Sequence, residues 1–92
     1  MIITAITPLK AIPYGNAKVI HYENGAIRLV SYTTPVVDIS AEGLMYVHGL
    51  FSATTRKHIS AFMREFTKYD YYTAKRCYEK NPFHGWSPKW RG

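Results

Sequence analysis

The sequence predicts an α+β domain, a small antiparallel sheet of three or four strands packed against one or two helices in the carboxy-terminal half. Three observations carry this expectation. Asn24-Gly25 separates two runs rich in β-branched and aromatic residues, the pattern of a hairpin. Two further short apolar runs, "TPVVDIS" and "LMYVHG", follow with "AEG" between them as a turn. Ile59, Phe62, Met63 and Phe66 then recur at i, i+3, i+4 and i+7, which lines up one buried stripe on a helix.

Residues 1–16 are apolar but interrupted by Pro8 and Pro13, so Ile2, Ile3, Ile6, Leu9 and Ile12 supply either a strand edge or a packed arm. The hairpin spans Ala17 to Tyr32. Read as a two-residue turn, it sets Tyr22 opposite Ile27, Ile20 opposite Leu29 and Val19 opposite Val30. Pro35 stands near the start of the third strand, where a missing amide donor costs least. Gly49 closes the fourth. A hydroxyl from Ser52, Thr54 or Thr55 is available to cap the following helix, with Thr54 the preferred cap and the helix running over 55–66.

Beyond Phe66 two outcomes are open. If the helix continues, Lys57, Arg64, Lys68 and Lys75 fall on one line opposite the apolar stripe, with Tyr71 and Tyr72 beside them and Thr73 and Cys77 extending the buried side. If "KYDYY" breaks it, Asp70 caps a second helix that runs to about Lys80, where Asn81-Pro82 stops it. Residues 1–80 are expected to form the domain. Residues 81–92, "NPFHGWSPKWRG", read as an irregular, basic, tryptophan-rich tail.

Ninety-two residues carrying twelve Lys and Arg against six Asp and Glu have a net charge of +6, which favours a polyanionic or acidic partner. Cys77 is the only cysteine, so neither an internal disulfide nor a thiolate zinc cluster can form. The amino terminus lacks the charged start and unbroken apolar run of a secretory signal, and no stretch reaches the length of a membrane span. A cytoplasmic protein is expected.

No pattern for catalysis stands out. His21, His48, His58 and His84 lie on separate elements without the paired spacing of a metal site, and the six carboxylates form no acid–base pair. Cys77 sits on the apolar side, where a thiol is inert. No glycine-rich phosphate loop is present. An enzyme is therefore not expected, nor a cofactor or metal. What remains is a basic row interleaved with aromatic residues. Lys57, Arg64, Lys68, Lys75, Arg76 and Arg91 can neutralise an anionic surface, while Tyr71, Tyr72, Trp86 and Trp90 can anchor a protein interface or stack on unpaired bases.

The run from Ser31 to Phe66, with Tyr32, Thr33, Gly49, Ser52, Thr54, Thr55 and His58, resembles a family of small uncharacterised proteins of phages and other mobile elements. The resemblance brings no activity, cofactor or site residue. It implies an accessory product of a mobile genome that binds and blocks a host factor. The expectation is thus a non-enzymatic protein, monomer or homodimer, that occludes a host protein or nucleoprotein such as a CRISPR effector through its basic aromatic surface. Direct binding of DNA or RNA is the alternative. Locally, "TT-x-x-H" reads as a helix cap with His58 bonded to a neighbouring strand; its rival is an anion held at the helix start near Arg56, Lys57 and His58.

Overall fold

The computed structural model describes residues 2–13 and 15–80, so Trp86, Trp90, Arg91 and the rest of the proposed tail lie outside the described residues. Five strands, β1 (Ile3–Pro8), β2 (Ala17–Tyr22), β3 (Ile27–Ser31), β4 (Thr34–Ile39) and β5 (Met45–Val47), precede two helices, α1 (Ala53–Phe66) and α2 (Tyr71–Lys80). The strands form one antiparallel sheet whose spatial order is the chain order, β1-β2-β3-β4-β5. The α+β class holds, with five strands in place of three or four. The extra strand is β1, whose residues are exposed on both faces and so lack the apolar alternation that reveals a strand in sequence. After β1 the chain packs as an arm, since Leu9 is fully buried and Ile12 packs against the core.

The hairpin forms at Asn24-Gly25 but in a different register. Val19 pairs with Leu29, Ile20 with Arg28 and His21 with Ile27. The loop has three residues, Glu23 to Gly25: Tyr22 N–H donates to Ala26 O at 2.9 Å, Ala26 N–H donates to Asn24 Oδ1 at 3.0 Å, and Gly25 takes a φ of +93°. That positive φ is the reason glycine stands there. The one-residue slip puts Val19 and Leu29 on the same face, and both are fully buried.

Between β3 and β4 the chain turns through Tyr32, a non-glycine residue at φ 58° whose N–H donates to Asn16 O at 2.6 Å. A bulge follows, because Leu29 pairs with Val37 and Val30 with Pro35, leaving Val36 as the extra residue. Its carbonyl accepts from His48 N–H at 2.8 Å, and Pro35 sits where the ladder is already irregular.

One sheet face carries Val19, Ile27, Leu29, Val37, Ile39, Met45 and Val47, and α1 lays Ile59, Phe62 and Met63 across it. Phe66 extends the same stripe at its edge, stacked on Phe62 with centroids 5.2 Å apart. Burial of such a side chain contributes about 2–3 kcal/mol, so this seam dominates the stability of the domain. The cap of α1 is Ser52 rather than Thr54: its Oγ accepts from Thr55 N–H at 3.2 Å. Thr55 instead turns inward, where its hydroxyl meets Ser31.

The helix does not continue past Phe66. Thr67 adopts an extended conformation, and both its N–H and its hydroxyl donate to Met63 O, at 2.9 and 2.6 Å, closing α1. Asp70 then caps α2, its Oδ1 accepting from the N–H and the hydroxyl of Thr73 at 3.1 and 3.2 Å. The single line of Lys57, Arg64, Lys68 and Lys75 is therefore broken, since Lys68 lies in the connection. Thr73, Ala74 and Cys77 face inward and dock α2 on α1 and β5.

Candidate cleft for an anionic partner

The break between the helices builds what a continuous helix could not. Arg64, in the last turn of α1, Lys68 and Tyr69, in the connection, and Arg76, on the second turn of α2, line one open cleft of about 430 Å³. Thr67, Asp70 and Thr73, the residues that end one helix and begin the next, form the remainder of its lining. One helix ends at Thr67 and the next is capped by Asp70 within four residues, and guanidinium groups from the two helices line one concavity.

The electrostatics are asymmetric. Three cations face one carboxylate, Asp70, whose Oδ1 is already engaged in the cap. Among the described residues the ion pairs lie elsewhere, at Arg28–Asp38 and His48–Asp38, and Arg64, Lys68 and Arg76 join neither. Arg76 is held weakly in place by Nη2 donating to Thr73 Oγ1 at 3.5 Å. Guanidinium groups suit bidentate contact with phosphate or carboxylate, and Tyr69 adds an aromatic wall.

The remaining sequence-derived candidates are placed differently. Lys57 is exposed on the first half of α1, outside the cleft. Lys75 is half-buried on α2 and does not line it. Tyr71 packs against the core, edge-on to Tyr72 with centroids 5.6 Å apart, and Tyr72 is exposed. Trp86, Trp90 and Arg91 fall outside the described residues. Thr67 and Tyr69 belong to the lining without having been expected there; the signal was the pair of capping patterns flanking Tyr69, which mark a turn rather than a helix.

Two polar clusters lie apart from this cleft. On the sheet face away from the helices, Arg28 donates to both oxygens of Asp38, at 2.6 and 3.1 Å, and Asp38 Oδ2 also meets His48 Nε2 at 2.8 Å. The carboxylate raises the Arg28 pKa chiefly through that hydrogen bond, opposed by burial. His21 is on the opposite face, beside Thr7 Oγ1 at 2.8 Å and the ring of Phe66, so the two strand-region histidines do not converge. Among the described residues no group of three metal-ligating side chains occurs.

The second cluster is buried. His58 is 3% exposed, and its Nδ1 lies 2.8 Å from Ser31 Oγ, which in turn meets Thr55 Oγ1 at 3.1 Å. The expected link from His58 to a neighbouring strand is this bond to the end of β3. Burial lowers the His58 pKa below the ordinary histidine value. Cys77 is buried too, its thiol 4.0 Å from Met45 O.

The model of a protein family described only as a family of unknown function, DUF8033, matches residues 1–80. No curated protein and no solved structure matches the chain. No helix among the described residues is long and apolar enough to cross a membrane.

Proposed function

The chain belongs to the family of unknown function DUF8033, and from that starting point we propose that it is a non-enzymatic binding protein that docks the basic cleft between α1 and α2 on an acidic or phosphate-bearing surface of a host protein or nucleoprotein. Its action is occlusion, as a phage-type accessory product inside the host cell, with a nucleic-acid-handling defence complex such as a CRISPR effector as the first partner to test. The observation that carries the reading is the convergence of Arg64, Lys68 and Arg76, from two helices and their connection, on one cleft free of ion pairs with the chain's own carboxylates among the described residues. A space of about 430 Å³ has room for an anionic group of a partner together with the chain that carries it, beside Tyr69.

The test is capture from host lysate with and without nuclease, using the wild type and the Arg64→Glu/Arg76→Glu variant. A protein retained after nuclease and lost with the double reversal supports the reading; no retention, or retention indifferent to the reversal, removes it. Direct nucleic-acid binding is the second reading, favoured by the net charge of +6. If the three cleft cations met phosphates, oligonucleotide affinity would fall with a log–log salt slope of about −2 to −3.

A further inference from the structure

We infer that β1 is a homodimerisation edge, pairing antiparallel with β1 of a second copy of this chain to extend the sheet from five strands to ten. The sheet has two edges, and they are unlike. β5 is three residues long, buries Met45 and Val47, and is packed by α2. β1 is six residues long, carries no charge along "ITAITP", and exposes Ile3 and Ile6, with Ile2 just before it, at 49%, 57% and 62%. Natural edges are blunted by short length, lysine, proline, bulges, inward charge or cover, because a flat apolar edge presents unpaired backbone groups to any extended chain. Of these devices β1 has a bulge between Ile3 and Ala5 and a proline at its last residue, Pro8, but no charge and no covering element, and Ile3 and Ile6 stay exposed.

The occupant is argued from symmetry and charge. A twofold axis between Thr4 and Ala5 sets Ile3 of each copy opposite Ile6 of the other, so that the exposed isoleucines pack side by side across the new strand pair. It also sets the Ile2 end of one strand beside the Pro8 end of its partner. The first end is flanked by Glu23, whose N–H donates to Ile2 O at 2.8 Å; the second is flanked by Lys18, paired with Pro8, and followed by Lys10. Glu23, Lys10 and Lys18 form no ion pair among the described residues. Antiparallel pairing therefore sets an acidic end against a basic end twice, once at each end of the new strand pair. Glu65 lies near the basic end but is engaged by Lys10 N–H at 2.8 Å. A parallel or shifted arrangement loses this match. The cleft residues on α1 and α2 play no part in this edge.

Such an edge buries less than a standard interface, so association should be weak, with a Kd on the order of 10–1000 μM. Sedimentation velocity across that concentration range should show a monomer–dimer equilibrium. Hydrogen exchange should show amides of β1 alone gaining protection as concentration rises. Ile3→Lys/Ile6→Lys should weaken the dimer tenfold or more, and Glu23→Lys about threefold, with melting temperatures unchanged because all three side chains are exposed. A chain that stays monomeric at 1 mM overturns the proposal, as does a dimer indifferent to the isoleucine variant, or protection gained elsewhere, which would indicate another face. Capture of an unrelated extended peptide at β1 by a monomeric chain also counts against it.

Discussion

Acidification should destabilise this domain through one residue. His58 is 3% exposed, its Nδ1 is bonded to Ser31 Oγ, and among the described residues its polar neighbours are the hydroxyls of Ser31 and Thr55 and the ring of Tyr32 at 6.1 Å, with no carboxylate. A proton on the ring would place a charge in a desolvated pocket without a carboxylate among the described residues, and so burial lowers its pKa. The sign follows: below about pH 6.5 the unfolded chain takes up a proton that the native chain refuses, so stability present above the unfolded value is lost as pH falls toward the native one. A single such site lowers stability by at most about 1.4 kcal/mol per pH unit. For a domain of this size 1 kcal/mol corresponds to about 4–8 °C in melting temperature. Urea and thermal unfolding of the wild type and of His58→Gln, whose amide can still meet Ser31, should be measured from pH 8 to pH 5. The wild type should lose more stability than the variant over that interval, with the difference opening below about pH 6.5 and no steeper than about 1.4 kcal/mol per pH unit. Parallel curves, or an NMR titration placing His58 at or above pH 6.5 in the native state, would refute the reasoning.

Other perturbations have equally definite outcomes. Phe62→Ala, which empties the centre of the seam between α1 and the sheet, should cost about 3–5 kcal/mol in urea unfolding, against less than 0.5 kcal/mol for an exposed site such as Lys57→Ala. Asp38→Asn removes the shared acceptor of Arg28 and His48; because these side chains are 20–35% exposed, the loss should be only about 0.5–1 kcal/mol by chemical denaturation. Gly25→Ala meets no atom within 4 Å yet forces a side chain onto a φ of +93°, so it should cost about 1 kcal/mol with no change in the denaturant slope.

The parts of the fold that showed in the sequence are those where one periodicity dominates. Ile59, Phe62 and Met63 announced α1 because a helix buried on one side must repeat its apolar residues, and Asn24-Gly25 announced the hairpin because few dipeptides tolerate positive φ. The register was not legible, since a two-residue turn and a three-residue loop with glycine at its end both accommodate that dipeptide, and only packing of Val19 beside Leu29 chooses between them. Ser52 took the cap from Thr54 for a related reason: three neighbouring hydroxyls satisfy the local rule, and the choice follows from Thr55 being drawn to Ser31. The cleft was half visible. Arg64, Lys68 and Arg76 were expected on one binding surface, with Arg64 and Lys68 on a straight row with Lys57 and Lys75. Their convergence depends on Thr67 closing one helix while Asp70 opens another, a break that charge spacing does not encode. The contribution expected of Trp86 and Trp90 falls outside the described residues.

The meander order of the sheet also shapes how the chain assembles. Every strand pairs with its neighbour in sequence, so each closure spans a short loop and the sheet can zip from either end without waiting for a distant segment. During synthesis all five strands leave the ribosome before any helix does. The apolar face of Val19, Leu29, Val37 and Ile39 is then bare until α1 emerges and covers it, and this interval is when the nascent chain is most exposed to misassociation.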